Sequence, residues 1–202
     1  MKERPILFNG EMVRAILDGH KTQTRRLFKL PKSASWLNTA LPLDDGGYFQ
    51  IAGRQGYWHV EEIECPIGFV GDRLWVRETW ARYNIDRDSH DMAYRATAPN
   101  DWPKDGRWRP SIHMPRWASR ITLEITGVRV ERLQAITEQD AREEGITDGG
   151  CLNCGEPEPC GCENPAPDAR DAFSFLWQSI HGQDSWHQNP WVWVIEFKRV
   201  DE

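Results

Sequence analysis

Three side chains able to bind an anion or react at a carbonyl group lie close together near the start of the chain: Lys21, Thr24 and Arg26. A hydroxyl can attack a carbonyl carbon, an amine can take its proton, and a guanidinium can bind a phosphate or a carbonyl oxygen. Gly19 follows an amphipathic segment and predicts the end of a helix there. An extended run after this turn would direct Thr24 and Arg26 to the same side. A solvent-exposed cationic loop has the same pattern, so the spacing alone leaves both interpretations open.

The composition favours a single domain. A chain of 202 residues with 39% hydrophobic residues suits one generous core, or one domain with an insertion. The net charge of -6 disfavours a protein that coats duplex nucleic acid by electrostatics alone. No run approaches the roughly twenty apolar residues that cross a bilayer. We therefore expect one cytoplasmic domain over residues 1–202, without a membrane partner.

Hydrophobic periodicity predicts the elements that would position these side chains. Residues 11–18 have helical apolar spacing, and they follow a short predicted strand at 6–8 and a turn at Asn9 and Gly10. A segment rich in Ser, Pro, Asp and Gly at 31–56 predicts a long excursion or a loose hairpin. Further strands are predicted at 58–63, 72–78, 92–96, 119–133 and 191–200, and a further helix at 173–180.

The second half of the chain sets the predicted fold class. The long strand at 119–133 contains Gly127, which indicates a bulge. Thr137 predicts the N-cap of a helix that runs to about Glu144 and ends at Gly145. Several strands separated by short helices, with the clearest strand last, favour a small mixed β-barrel over a parallel βαβ sheet. The predicted class is therefore α+β.

A cysteine-rich segment contains four thiols, at Cys151, Cys154, Cys160 and Cys162. Zinc binds thiolates tetrahedrally, and Gly and Pro turns allow a short loop to present four of them. This spacing predicts a structural zinc site, since four protein ligands leave no open position for a reacting water. Disulfides are the alternative, which a cytosolic setting disfavours. The remaining Cys65 is expected to be a buried or inert thiol.

The residues assembled so far resemble the ASCH family, a branch of the PUA-like β-barrels associated with RNA and modified nucleosides. The family signature Gly-x-Lys-x-x-x-x-Arg is met by Gly19, Lys21 and Arg26. The Lys-Thr-x-Thr block at 21–24 is similar to that of the small bacterial N4-acetylcytidine amidohydrolases of this family. The Ala-x-x-Glu sequence at 141–144 resembles the helix end that carries a glutamate in those enzymes.

This resemblance implies a fold and a set of catalytic residues. The fold would be a PUA-like (ASCH) mixed β-barrel with short flanking helices and a cysteine-rich insertion. The catalytic residues would be Lys21, Thr24 and Glu144, and no organic cofactor is implied. The chain is larger than those minimal enzymes, and its additions resemble those of larger ASCH proteins of phage and prophage origin. The additions lie at 31–56, 83–116 and 147–168, the last being the expected zinc-bound insertion.

Amide hydrolysis assigns a role to each of the three residues that the resemblance implies. The Thr24 hydroxyl would attack the carbonyl carbon, Lys21 would be its base, and Glu144 would orient Lys21 or a water molecule. A lysine near its ordinary pKa of about 10.4 is a poor base, so burial or the neighbouring Arg25 and Arg26 would have to lower that pKa. A lysine kept protonated by Glu144 would instead stabilise the tetrahedral oxyanion. Both roles remain open at this point.

Four residues are candidates for substrate binding: Gly19, Arg25, Arg26 and Glu78. The planar guanidinium of Arg26 suits a nucleobase carbonyl or a phosphate, with an ion pair to Asp72 or Glu78 as the alternative. For Glu78 itself, a structural ion pair is the favoured alternative to a place in the cleft.

Two functions from different classes follow. The first is an amidohydrolase acting on an N4-acylated cytidine or a related modified nucleoside, which the acidic net charge favours. The second is a non-catalytic module that binds single-stranded RNA or a modified base in the same cleft. The segment 102–117 favours this second function, since arginine and indole together can hold a nucleic-acid strand. We expect hydrolysis.

Overall fold

The computed structural model describes residues 1–29, 37–42, 47–55, 57–82, 91–147, 153–154, 161–163 and 169–200. These residues form an α+β fold, as the sequence predicted. The helices are α1 (Gly10–Leu17), α2 (Glu138–Glu143) and α3 (Ala169–His181). The strands are β1 (Glu3–Leu7), β2 (Gln23–Leu27), β3 (Leu37–Pro42), β4 (Tyr48–Gln55), β5 (Tyr57–Glu64), β6 (Arg73–Arg77), β7 (Trp80–Arg82), β8 (Met92–Tyr94), β9 (Thr122–Arg132) and β10 (Trp191–Val200).

The main sheet has five strands in the order β1-β6-β9-β10-β2. β1 and β6 are parallel, and the other neighbours are antiparallel. Because β1 and β2 are its two edges, the described strands form an open sheet and not a closed barrel. A hydrogen bond from Arg26 Nη2 to the carbonyl oxygen of Leu7 (2.7 Å) joins the two edges. The sheet therefore curls enough for one side chain to span its opening.

β10 is buried on both faces, which explains its long apolar run. Trp193 and Ile195 belong to the larger core, which α1 and the inner face of the main sheet share. Val192 and Val194 belong to a second core, formed with α2 and α3 on the other face. The alternation of side chains along a strand divides the two sets. The site described below lies at the strand beside β10, which is β2.

The predicted bulge is present in β9. The register between β9 and β10 shifts where Glu196 pairs with Gly127 and Phe197 pairs with Ile125. A Cβ atom at Gly127 would come within 2.5 Å of a Glu196 side-chain oxygen. A larger residue at this position would force the Glu196 carboxylate to move away from the β9 backbone.

A second sheet of three strands has the order β3-β4-β5. β3 and β4 pair antiparallel within the segment 31–56, which was predicted as a long excursion or a loose hairpin, and β5 corresponds to the strand predicted at 58–63. Phe49 of β4 packs edge-on against Trp193 of the main sheet, with ring centroids 5.2 Å apart. The segment predicted as a hairpin therefore covers part of the larger core. Local composition did not reveal this, because turn-forming residues are as compatible with short antiparallel strands as with loops.

Asn9 has a different role from the predicted one. Its side chain accepts a hydrogen bond from the Met12 backbone N–H (2.8 Å), so it is the N-cap of α1 and not part of a turn before the helix. The end of the helix agrees with the prediction, since Gly19 follows α1 with a φ of 77°.

α2 begins with a capping box between Thr137 and Asp140, as expected from the sequence around Thr137. Gly145 follows it with a φ of 88°. Within the described ranges, no helix combines the length and apolar character needed to span a membrane.

Candidate functional site

The backbone brings the segment after α1 against the end of α2. Lys21 and Glu144 form an isolated antiparallel bridge, and the Thr22 N–H donates to the Glu143 carbonyl oxygen (2.8 Å). A Cβ atom at Gly145 would lie 3.1 Å from Lys21 Cβ and 2.8 Å from Ala15 Cβ. Glycine at this position thus allows the two segments to approach closely.

Lys21 and Glu144 form a buried ion pair. Lys21 Nζ donates to Glu144 Oε2 (2.7 Å) and to the Glu144 carbonyl oxygen (2.6 Å). The residues are 2% and 4% exposed. Burial lowers the pKa of Lys21, since desolvation disfavours the ammonium, whereas the charge of Glu144 raises that pKa. The positive charges of Arg26 and Arg25 lower it further, and the net direction is downward.

Arg25 occupies the other oxygen of the same carboxylate. Its Nη1 donates to Glu144 Oε1 (3.1 Å), and its Nη2 donates to Glu131 Oε1 (2.6 Å). Nη2 also lies 3.5 Å from Asp140 Oδ1, and the side chain is fully buried. Arg25 was predicted to bind substrate, but in this structure its terminal nitrogens contact carboxylates of the protein.

The network extends outward through Asp140 and Arg129. Asp140 Oδ1 accepts hydrogen bonds from Arg129 Nη2 (2.7 Å) and Gln23 Nε2 (3.0 Å). Arg129 also pairs with Glu131 and with Glu196. Burial alone would raise the pKa of Asp140, but hydrogen bonds from Thr137 and Gln23, with the charge of Arg25, hold it well below its ordinary range. We call Gln23, Arg25, Arg129, Glu131, Asp140 and Glu144 the charged network.

Thr24 and Arg26 lie on the other face of β2, as the alternation along a strand predicts. Thr24 is buried and pairs with Ile195 of β10. The guanidinium of Arg26 lies over the ring of Phe8, 5.3 Å from its centroid, and Lys21 Nζ lies 5.7 Å from the same centroid. Both cations therefore lie near the ring of Phe8. The sequence places Phe8 only in a predicted strand, and nothing in its local pattern distinguishes it from an ordinary core residue.

A cleft of about 840 Å³ opens between the two edges of the main sheet. Arg26 lines it from β2, Leu7 lines it from β1, and Ile67 from the segment after β5. Arg77 is a further cation in its wall. A second cavity of about 530 Å³ borders Glu144 and is lined by α1 and α3. Lys21 and Thr24 line neither of these two cavities, and each is 2% exposed.

The alternative ion pairs considered for Arg26 are not formed, because both acids have other partners. Asp72 accepts from the Lys2 backbone N–H (2.7 Å) and lies 3.8 Å from Arg4. Glu78 accepts two hydrogen bonds from Arg120, at 2.8 and 3.0 Å.

Glu78 is 2% exposed, and its partner is Arg120. This is the structural ion pair that was favoured over a place for Glu78 in the cleft. Glu78 borders a separate cavity that Arg14 and Arg95 also line. Gly19 is exposed and lies in the backbone turn that follows α1.

Two of the four clustered cysteines, Cys151 and Cys160, lie outside the described residues, as does most of the insertion at 147–168. Cys154 is exposed and Cys162 partly exposed. Within the described ranges, no group of three or more His, Cys, Asp or Glu side chains is arranged to hold a metal ion. The predicted zinc site stays a prediction. Cys65 is buried, as expected, and burial raises the pKa of its thiol.

The fold and the site define an α+β protein with a buried lysine–glutamate ion pair and a buried threonine three residues further along the chain, at the open edge of a curled sheet. No protein-family model, curated protein or solved structure matches the chain. The functional argument therefore rests on the residues and their geometry.

Proposed function

We propose that this protein is an amidohydrolase of the PUA-like ASCH type, which hydrolyses the amide of an N4-acylated cytidine or a related modified nucleoside. The catalytic residues are Lys21, Thr24 and Glu144. The observation that carries the proposal is the 2.7 Å contact between Lys21 Nζ and Glu144 Oε2, two residues 123 positions apart. A carboxylate in contact with a buried lysine can hold that amine in place as the base for a nucleophile, and Thr24 is the hydroxyl that we assign to this role.

In the proposed reaction, the Thr24 hydroxyl attacks the amide carbonyl carbon while neutral Lys21 takes its proton. Lys21 then returns this proton to the leaving N4 amine, and the acyl group remains on Thr24 as an ester. A water molecule, deprotonated by Lys21, hydrolyses the ester to a carboxylic acid and free Thr24. Glu144 holds the Lys21 amine in place during formation of the ester and during its hydrolysis. The reaction consumes one water and needs no organic cofactor.

Burial supports the role of Lys21 as base, because it lowers the pKa of the amine. The opposing charge of Glu144 keeps the second role available, in which the ammonium stabilises the oxyanion. These roles differ in pH dependence. A base requires the neutral amine, so activity rises as Lys21 loses its proton, whereas an oxyanion donor loses activity over the same range.

Arg26 has the position of a substrate-binding residue in this proposal. It lines the cleft and lies over Phe8, so its guanidinium is between the cleft and the buried amine. A nucleobase carbonyl or a phosphate bound by Arg26 would direct the substrate toward Thr24, which shares the same strand face. Entry requires the Arg26 side chain to leave the Leu7 carbonyl oxygen, to which it donates here.

A second function is a non-catalytic module that binds single-stranded RNA or a modified base in the same cleft. Its support lies outside the residues that line this cleft: the indole of Trp117 is 57% accessible, and the Arg82 guanidinium lies 5.4 Å from the centroid of its ring. Aromatic faces with arginine are typical of single-strand binding.

The experiment is incubation with N4-acetylcytidine, with release of cytidine as the measurement. Wild type is compared with Lys21→Ala and Thr24→Ala, and with Thr22→Ala as a control, because Thr22 is exposed and adjacent. Turnover lost in the first two variants and retained in the third supports the amidohydrolase. A wild type that releases no cytidine yet binds single-stranded RNA in a salt-sensitive manner replaces it with the binding module.

The proposal includes a structural zinc ion bound by Cys151, Cys154, Cys160 and Cys162. Its support is the donor chemistry, since four thiolates form the preferred ligand set of structural zinc. Such an ion would order the insertion and take no part in hydrolysis.

A further inference from the structure

Arg25 is the central cation of the charged network, and its surroundings are unusual for an arginine. Its side chain is fully buried, and its terminal nitrogens contact three carboxylates, those of Glu131, Asp140 and Glu144. The ring of Phe173 from α3 lies 5.9 Å from its Cζ atom. A buried arginine remains charged, because its pKa is too high for it to release a proton. The protein therefore keeps a permanent positive charge next to Glu144.

Glu144 shares its charge between two cations of different kinds. Oε2 accepts from Lys21, which can lose its proton, and Oε1 accepts from Arg25, which cannot. If Lys21 were its only partner, deprotonation would leave a buried carboxylate without a counter-charge, which is strongly unfavourable. With Arg25 in place, Glu144 keeps an ion pair when the lysine is neutral.

We infer that Arg25 is a positioning residue for catalysis, which fixes Glu144 and supplies its counter-charge while Lys21 is neutral. Arg25 acts through Glu144 and contacts neither the cleft nor Thr24. The inference rests on the proposed function for its effect on rate. Its effect on the protonation of Lys21 is independent of any reaction.

The charged groups around this pair come from three elements, β2, β9 and α2, and from Lys21 just before β2. Lys21 faces Glu144, and Arg26 and Arg25 are close enough to lower the pKa of the lysine. Arg25 faces Glu131 from β9, Asp140 from α2, and Glu144 at the end of α2. Arg129 is one step further out, since it pairs with Glu131 and Asp140. Among the described residues, Arg129 forms no ion pair with Glu144 and provides a matched control.

The test measures the titration of Lys21 directly. The full-length protein is labelled with [13Cε]lysine, and the chemical shift of each lysine is followed against pH. The Lys21 signal is assigned as the one missing in Lys21→Arg. The titration is repeated in Arg25→Gln, in Glu131→Gln and in the control Arg129→Gln. The other lysines are Lys2, Lys29, Lys32, Lys104 and Lys198, and they serve as internal references.

We expect the Lys21 signal of Arg25→Gln to titrate at higher pH than that of wild type, because Lys21 becomes the only counter-charge of Glu144. Glu131→Gln releases Arg25 from a competing carboxylate, so its Lys21 signal is expected to titrate at lower pH. Arg129→Gln is expected to follow wild type. If Arg25→Gln does not fold, the Glu131→Gln variant decides. A Lys21 titration unchanged in the folded variants, or shifted equally in Arg25→Gln and Arg129→Gln, would overturn the inference.

Kinetics provide the second measurement. The acidic limb of kcat/KM for Arg25→Gln is expected to move to higher pH, with about a tenfold loss at pH 7. A protein that hydrolyses no acylated nucleoside refutes the proposed function, while the lysine titration still decides the role of Arg25. A titration without a shift refutes the role of Arg25, while turnover by wild type leaves the proposed function in place.

Discussion

The two faces of β2 differ in what their side chains contact. On one face, Gln23 and Arg25 are held by carboxylates of β9 and α2, and their polar groups are committed to the protein. On the other face, Thr24 is buried and pairs with Ile195, whereas Arg26 lies over an aromatic ring and lines the cleft. The first face therefore holds its polar groups within the protein, and the second carries the two side chains for which we propose catalysis and substrate binding. A single strand of five residues presents both sets, because alternate side chains point to opposite sides.

Removal of the Thr24 hydroxyl should give the largest effect and separates activity from stability. Thr24→Val keeps the shape of the side chain, so the free energy of unfolding should change by about 1 kcal/mol or less. Turnover of N4-acetylcytidine should fall at least about a thousandfold, because the nucleophile is lost. Urea unfolding and cytidine release measure the two quantities. Turnover near that of wild type in Thr24→Val would refute the proposed catalytic role of Thr24.

Removal of Arg25 should instead have its larger effect on the free energy of unfolding. Arg25→Ala leaves Glu131 and Glu144 with less counter-charge in the interior, and we expect a loss of about 3–5 kcal/mol in unfolding free energy. Chemical denaturation measures it. Arg26→Ala is the matched comparison, one position along the same strand. Equal destabilisation by both variants would contradict the difference between the faces.

Arg26→Ala removes a hydrogen bond to a backbone carbonyl, so its cost in unfolding free energy should be about 1 kcal/mol. Its main effect should be on substrate binding, with a rise of KM of about tenfold and a smaller change in kcat. Steady-state kinetics over a range of substrate concentrations separate these parameters. An unchanged KM would show that the substrate does not contact this guanidinium.

The stability that the charged network provides should also decrease in acid. The pKa of Asp140 lies below its unfolded value of 3.8, so its contribution to stability is complete above pH 3.8 and is lost as the pH falls below that value. Between pH 6 and pH 3, the stability difference between wild type and Asp140→Asn should narrow by about 1 kcal/mol. Urea midpoints at several pH values measure this. A difference independent of pH would mean that Asp140 contributes no ionic stabilisation.

Removal of the proposed zinc ion should leave the turnover of the protein unchanged. The double variant Cys154→Ser and Cys160→Ser should lose the bound zinc in elemental analysis and keep wild-type turnover, since the proposed ion only orders the insertion. Equal zinc in both proteins would refute the metal site. Loss of turnover in a variant that still folds would show that the insertion contributes to catalysis.

The elements nearest to the site were predictable because local chemistry defines them. Gly19 ended α1, Thr137 capped α2, and the long apolar run of β10 gave its boundaries. The segment 31–56 was predicted only as an excursion or a loose hairpin, and its pairing with β5 in a three-stranded sheet was not predicted, since this turn-rich segment has no clear period. Asn9 was misassigned for a similar reason, because asparagine is favoured both in turns and at N-caps.

The sequence by itself determined which groups are available for chemistry: a lysine and a threonine on one short segment, and a glutamate after a capped helix. Alternation along β2 also determined that Thr24 and Arg26 share a face. Only the tertiary structure decided that Glu144 contacts Lys21, that Arg25 binds the same carboxylate, and that Lys21 and Arg26 both lie near the ring of Phe8. These contacts join segments far apart in the chain, and burial by the surrounding sheet and helices sets the charges that Lys21 and Glu144 can hold.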